Sequence, residues 1–363
     1  MSASVSDSTS ASMSASSSTS ASTLALPAAQ RGSLGVFWRW LRITLTTALA
    51  LVGLITLAFA ALLAVPLTTP APLESISKSA GAVDRSDMPQ LQRFSARDGT
   101  VLGYRHYTPA TVTTDRIAIL IHGSSGSSSS VHALAKAMAA RGVESYAPDI
   151  RGHGASGTRG DVAYIGQLED DLQDLVAEIH EAHPNAPLVL IGHSSGGGFA
   201  LRVAGSPIQS LFSRTVLLAP YLGYGATTTR SGSGGWANAD IPRIVALHFL
   251  RRIGVTCCQD LPTVALAVPP HSEKFQTAIY SYRLISNFGP KGSYRDDFAA
   301  AKSPITIIAG TDDELMVPSN YRAAVADFPT VDVKLLDHVD HMGVVSDLAV
   351  GAVIADDVVT RGK

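Results

Sequence analysis

Between Pro187 and Ala200 the sequence reads Pro-Leu-Val-Leu-Ile-Gly-His-Ser-Ser-Gly-Gly-Gly-Phe-Ala, an apolar run that breaks at Gly192 into serine and then into a helix-like stretch. Residues 188–191 are β-branched or aliphatic and are bounded by Pro and Gly, the pattern of a short strand buried on both faces. Gly192-His193-Ser194-Ser195-Gly196 then fits G-x-S-x-G, a sharp strand-to-helix turn that holds a serine hydroxyl out of the sheet in a strained conformation. The flanking glycines have a steric role, because a Cβ two residues either side of Ser194 would collide with neighbouring backbone as the chain reverses. Gly197 and Gly198 are poor helix formers, so their place in the first helical turn points to tight packing. Gly and Ser are common in ordinary turns, and the pattern gains weight only if the rest of the chain supplies a base, an orienting acid and oxyanion donors in a consistent order.

The rest of the chain supports a largely parallel sheet. Residues 91–95 and 101–107 read as two strands joined by a turn at Arg97-Asp98-Gly99, and 117–121 as a fully apolar strand ending in His122-Gly123-Ser124-Ser125-Gly126. Residues 131–141 have helical spacing with Gly142 as their stop, and 143–148 return as a strand into Asp149-Ile-Arg-Gly-His-Gly154. Residues 164–180 place Leu168, Leu172, Leu175, Val176 and Ile179 on one helical face. Further strands are expected at 215–219, 305–309 and 331–336, with a closing helix from about residue 347. Strands alternating with helices predict an α/β fold covered on both faces, with its site at the carboxyl ends of the strands. The alternation stops between residues 221 and 302, too long for an ordinary connection, and this span is expected to be an inserted cap. Within it, residues 240–251 form a helix pattern with an N-cap Asp and Pro in the first turn.

The N-terminal part is different in kind. Residues 1–36 begin with a Ser/Ala/Thr tract too poor in apolar bulk to fold and are expected to form a disordered tail. Residues 43–65 are uncharged and apolar, reach about 35 Å as a helix, and with the preceding aromatic belt predict a transmembrane anchor over 37–66. Arg31, Arg39 and Arg42 precede the span, which by the positive-inside rule puts the N-terminus in the cytoplasm and the remainder outside. A cleaved signal is the alternative, since small residues around Ala58-Phe59-Ala60 could serve a protease. Pro66, Pro70 and Pro72 open a linker over 67–90, and the globular domain is expected over 91–363. The net charge of −2 with scattered basic residues carries no footprint for nucleic acid. Cys257 and Cys258 are adjacent, which suits neither a disulfide framework nor metal ligation, and they are expected to be packing residues.

With the serine turn, the His122-Gly123 turn and the Asp149-Ile-Arg-Gly-His-Gly154 loop, the chain resembles the α/β-hydrolase family, and within it the monoacylglycerol lipase and lysophospholipase branch with a cap. The resemblance covers about residues 90–360. It implies a chain order of Ser, then Asp or Glu, then His, with Ser194 as nucleophile. The acid is expected in Gly310-Thr-Asp-Asp-Glu-Leu-Met-Val-Pro318, where the family pattern selects Asp313 over Asp312 and Glu314. The histidine is expected in Asp337-His338-Val-Asp-His341-Met-Gly343, where the family ending favours His341 over His338. Oxyanion donors are expected from the backbone N–H of Ser195 and of Ser124, with Ser125 the alternative to Ser124. His193, His122 and His153 are read as structural. The resemblance implies hydrolysis of a lipid-like ester through an acyl-enzyme, with no metal or organic cofactor; acyl transfer and peptidase chemistry share the same residues. A membrane-anchored binding protein on this fold is the reading from another class.

Overall fold

The computed structural model describes residues 28–112, 114–272 and 276–360. The chain divides into two compact units, Met1–Ala60 and Ala61–Lys363. Helix α1 (Ala28–Ala64) dominates the first, and its stretch from Gly35 to Ala64 is long and apolar enough to cross a membrane. Its threonines do not interrupt the helix. Thr44, Thr47 and Thr56 each donate their hydroxyl to a carbonyl four residues earlier, at 3.0, 2.8 and 2.9 Å, so their polar atoms are satisfied within the helix. The expected disordered tail lies outside the described residues as far as residue 27. From Ala28 the chain is already helical, so the helix begins before the expected boundary at 37.

In the second unit, among the described residues, eight strands form one sheet in the order β1-β2-β4-β3-β5-β6-β10-β11. These are β1 (Gln92–Ser95), β2 (Val101–Tyr107), β3 (Ile117–Ile121), β4 (Glu144–Pro148), β5 (Leu188–His193), β6 (Phe212–Leu218), β10 (Ile305–Gly310) and β11 (Val331–Leu336). The first two strands are antiparallel to their neighbours and the remaining pairs are parallel. Every residue of β3, β5 and β10 is buried, as strands covered on both faces must be. Covering helices include α3 (His132–Ala140), α4 (Gln167–Ala182) and α5 (Ser195–Ala204). Between β6 and β10 lies the cap: a small antiparallel sheet of β7 (Ala237–Ala239), β8 (Pro262–Leu266) and β9 (Ile279–Ser281), helix α6 (Ile241–Arg252), and the short helix α7 (Tyr294–Ala300). Asp240 caps α6 by accepting from Arg243 N–H at 3.0 Å. The chain's last described helix, α8 (Leu348–Thr360), packs against α3, where Gly351 lies so close that a Cβ there would approach Ala137 to 2.7 Å.

Two expectations change. The span expected only as a linker contains helix α2 (Glu74–Gly81), which buries Ile76 against the core of the sheet domain. This span is tied down along its length. The Arg243 guanidinium donates to Val65 O, Asn238 Nδ2 donates to Thr68 O at 2.7 Å, and Ser79 Oγ donates to Asp340 Oδ2 at 2.8 Å. Arg85 donates to Ser129 O and Ala80 O at 3.3 and 2.9 Å. The prolines stop α1 but do not make the span independent of the domain. The cysteines also depart from expectation: both are free thiols, Cys257 exposed and Cys258 half-buried, on the cap loop after α6 rather than in the core.

Candidate active site

The serine turn is built from glycine geometry at its two ends. A Cβ on Gly192 would stand 2.1 Å from Gly196 O, and one on Gly196 would stand 2.2 Å from His122 O, so neither position admits a side chain. Ser194, between them, has φ +54° and ψ −119°, a conformation that L residues avoid and that persists only where its surroundings impose it. Its N–H donates to Leu218 O and its carbonyl accepts from Gly198 and Tyr221 N–H, which locks the turn between β6 and α5.

The loop after β10 and the loop after β11 meet beside it. Asp313 is fully buried, and its Oδ2 lies 2.8 Å from His341 Nδ1. Its Oδ1 accepts from Leu315 and Met316 N–H at 2.8 and 2.7 Å. Burial works to raise the Asp313 carboxyl, but the His341 imidazole and those two N–H groups outweigh it and hold the group below its ordinary value, so it stays ionised. With Nδ1–H given to the carboxylate, His341 presents Nε2 as a base. The competing residues make different contacts. His338 is strongly exposed and faces Asp312 at 3.7 Å, on the surface. Glu314, in the loop after β10, serves the backbone of the loop after β11, its Oε2 accepting from His341 N–H at 3.0 Å.

Ser194, Ser124 and His341 share one crevice of about 50 Å³, walled on another side by Ile76 and Ala80 of α2. Ser194, Ser124 and Ser195 also line a larger cavity of about 540 Å³, reaching under the cap to Ile241, Ile244, Leu266 and Tyr282. The larger cavity is predominantly apolar. Among the described residues, the backbone N–H groups of Ser124 and Ser195 have no protein acceptor, whereas Ser125 N–H is committed to Tyr280 Oη at 2.6 Å. Ser124, not Ser125, therefore has the free donor. No group of three or more potential metal ligands occurs among the described residues.

The three histidines read as structural are buried and bonded. His122 Nε2 accepts from Ile150 N–H at 3.1 Å, and His153 Nε2 lies 2.5 Å from Tyr280 Oη. Burial pushes both imidazoles below their ordinary range, which keeps them neutral. His193 does more than fill space: its Nε2–H donates to His341 O at 3.0 Å. Three elements of the site have no motif in the sequence: the α2 wall, the His193 bond to His341, and the cap residues Trp236 and Tyr280 against the Ser124–Ser125 turn. Only the Pro-rich boundary before α2 and the aromatic character of Trp236 and Tyr280 gave any signal.

Residues 113–344 match a family model described as serine aminopeptidase, S33. A monoacylglycerol lipase of Mycolicibacterium smegmatis is 31% identical over 128 residues, which span 35% of this chain and 45% of that protein, so the chain matches less than half of that relative's length. A soluble variant of monoglyceride lipase from Saccharomyces cerevisiae, solved with a substrate analogue, superposes with a TM-score of 0.54 at 19% identity, covering 75% of this chain and 94% of that one. A monoacylglycerol lipase of Paleococcus ferrophilus superposes at 0.50 with 17% identity, covering 71% and 98%. At these identities the two structures speak for the fold.

Proposed function

The chain belongs to the α/β-hydrolase family whose model is described as serine aminopeptidase, S33, and on that premise we propose that it is a membrane-anchored serine hydrolase cleaving carboxylic esters of lipid-like substrates. The observation that carries this reading is the buried Asp313–His341 pair beside Ser194, next to an apolar cavity large enough for an acyl chain.

In this mechanism His341 Nε2 takes the Ser194 hydroxyl proton as the oxygen attacks the ester carbonyl. Asp313 keeps the proton on His341 Nδ1 and stabilises the imidazolium that forms. The oxyanion of the tetrahedral intermediate is met by the N–H groups of Ser124 and Ser195. His341 returns its proton to the departing alkoxide, leaving an acyl-enzyme on Ser194. Water, deprotonated by the same imidazole, then releases the carboxylic acid and restores the serine. The monoacylglycerol lipase relatives and the apolar cavity favour a single-chain lipid ester over a small polar one. Helix α1 would hold the enzyme in a bilayer, with the arginines before the span on the cytoplasmic side and the hydrolase domain outside.

The description of the family model names a peptidase, but the cavity argues for an ester. An aminopeptidase must hold a substrate ammonium, for which a carboxylate is the natural partner. Among its described lining residues the large cavity has Arg202, Arg251 and Lys291 and no Asp or Glu, Arg202 being paired with Glu169. The test is fatty-acid release by the full chain in detergent from monoacylglycerols of increasing length, from a lysophospholipid, and amine release from aminoacyl nitroanilides. Hydrolysis of the long-chain esters, abolished in Ser194→Ala, is expected. Turnover of nitroanilides alone, or full ester turnover by Ser194→Ala, would overturn the proposal.

A further inference from the structure

The turn carrying the Ser124 donor is held by the cap. Ser125 is buried with φ +69°, a left-handed conformation that a serine does not adopt without support. Its own hydroxyl supplies none, having no hydrogen-bond partner among the described residues. Support comes instead from three groups in the inserted segment. Tyr280 Oη, on β9, accepts Ser125 N–H at 2.6 Å; Thr277 N–H donates to Ser125 O at 3.1 Å; and Trp236 Nε1–H donates to Ser124 Oγ at 2.8 Å.

The tyrosine is itself fixed. Its hydroxyl donates to His153 Nε2 at 2.5 Å, and this neutral imidazole sits in the loop after β4. Thr277 Oγ1 donates to Gly152 O at 3.0 Å in the same loop, and Ser281 N–H donates to Gly160 O at 2.9 Å. Strand β9 and Thr277 before it are thus laced to the loop after β4 on one side and to the Ser124–Ser125 turn on the other.

We propose that Tyr280 is a positioning residue for the oxyanion donors: its hydroxyl fixes the Ser125 peptide in the left-handed conformation and so aims the neighbouring Ser124 N–H at the developing oxyanion. The inference rests on the hydrolase reading above. Its consequence is that the cap both walls the acyl cavity and completes the oxyanion site, so a shift of β9 would be felt at the reaction centre. Preorganised donors act on the transition state more than on the bound ester, so loss of this support lowers kcat and leaves KM in place.

The test compares wild type, Tyr280→Phe, Trp236→Phe and Ser194→Ala as full chains in detergent, on one monoacylglycerol and with an alkyl trifluoromethyl ketone whose hemiketal mimics the tetrahedral oxyanion. Loss of an oxyanion donor itself costs about 10²–10³-fold in kcat, and loss of its support is expected to cost about tenfold or more. Tyr280→Phe should therefore show that fall in kcat, KM within about twofold, and ketone inhibition weakened by the same factor as kcat. Unchanged kcat, or a rise in KM with kcat preserved, would overturn the inference, because Tyr280 would then act only as cavity wall. If Tyr280→Phe does not fold, Trp236→Phe, which removes the indole donor to Ser124 Oγ and trims a ring lining the cavity, carries the test of cap support for this turn: the same fall in kcat and in ketone inhibition is expected, and a rise in KM with kcat preserved is the contrary result. Full activity in Ser194→Ala would overturn the hydrolase reading instead, so the two failures are distinguishable.

Discussion

His193 and His341 are joined by a hydrogen bond from the His193 Nε2–H to the His341 main-chain carbonyl at 3.0 Å, with their rings 4.8 Å apart between centroids. The residue immediately before the serine therefore holds the backbone of the histidine that faces it, across 148 positions of sequence. Replacing His193 with alanine removes that restraint without touching any reacting atom. A fall in kcat of about tenfold to a hundredfold, with KM little changed, is the expected outcome in steady-state kinetics, since small misplacement of a base is costly. An unaltered kcat would mean that the His341 loop is held well enough by Asp313 and Glu314 alone.

The same histidine makes the fold acid-sensitive. Burial and the neighbouring His341 push the His193 imidazole from 6.5 down to about 3, so the folded protein refuses a proton that the unfolded chain accepts. A depressed folded-state value means that the stability is complete above about pH 6.5 and is lost as pH falls toward the folded value. At about pH 5 the cost from this one group is about 2 kcal/mol, and the buried His122 and His153, shifted in the same direction, add to it. Urea unfolding at about pH 5 and about pH 7.5 measures this, and His193→Gln should show a smaller difference between the two. Equal differences in both proteins would contradict a neutral, buried His193.

Asp313 is distinguished from its neighbours by what it touches. Asp313→Asn keeps the shape but offers His341 an amide in place of the carboxylate, which cannot hold the imidazole tautomer or stabilise its charge. A loss of about 10³–10⁴ in kcat is expected. Asp312→Asn and His338→Ala, both on the exposed side of these loops, should stay within about twofold of wild type. A comparable loss in either surface variant would reassign the acid or the base.

Helix α2 predicts that the domain does not begin at residue 91. Ile76 is buried, and Ser79 and Arg85 bind the loops carrying Asp340 and Ser129. Ile76→Ala should cost about 2 kcal/mol in urea unfolding. A chain starting at residue 86 should be less stable still and less selective for the alcohol part of its esters, because α2 walls the small crevice at Ser194. Identical stability and alcohol selectivity in the shortened chain would show that the helix is only a tether.

The central sheet was legible because its inner strands β3, β5 and β10, buried on both faces, read as continuous apolar runs; β2, β3 and β11 coincide with the expected spans, and the others differ by a few residues at their ends. The loops expected to carry the acid and the base came from the family resemblance, whose order of Ser, acid and His points to the segments after β10 and β11, and the family pattern in each loop selected Asp313 and His341. The cap sheet was not found, since β7 and β9 are three residues each and, among the described residues, pair only with β8. The Tyr280–Ser125 bond spans 155 positions and leaves no local pattern in either segment. Helix α2 has one buried residue and a weakly apolar sequence, and its position comes from contacts rather than from propensity.

The most direct measurement is reaction of the full chain with a fluorophosphonate probe, followed by mass spectrometry of the labelled peptide, in wild type, Ser194→Ala and His341→Ala. A nucleophilic serine activated by His341 predicts one label per chain on Ser194, none in Ser194→Ala, and labelling slower by orders of magnitude in His341→Ala. A wild-type protein that neither takes the label nor hydrolyses any ester, or a label that persists in Ser194→Ala, would contradict it.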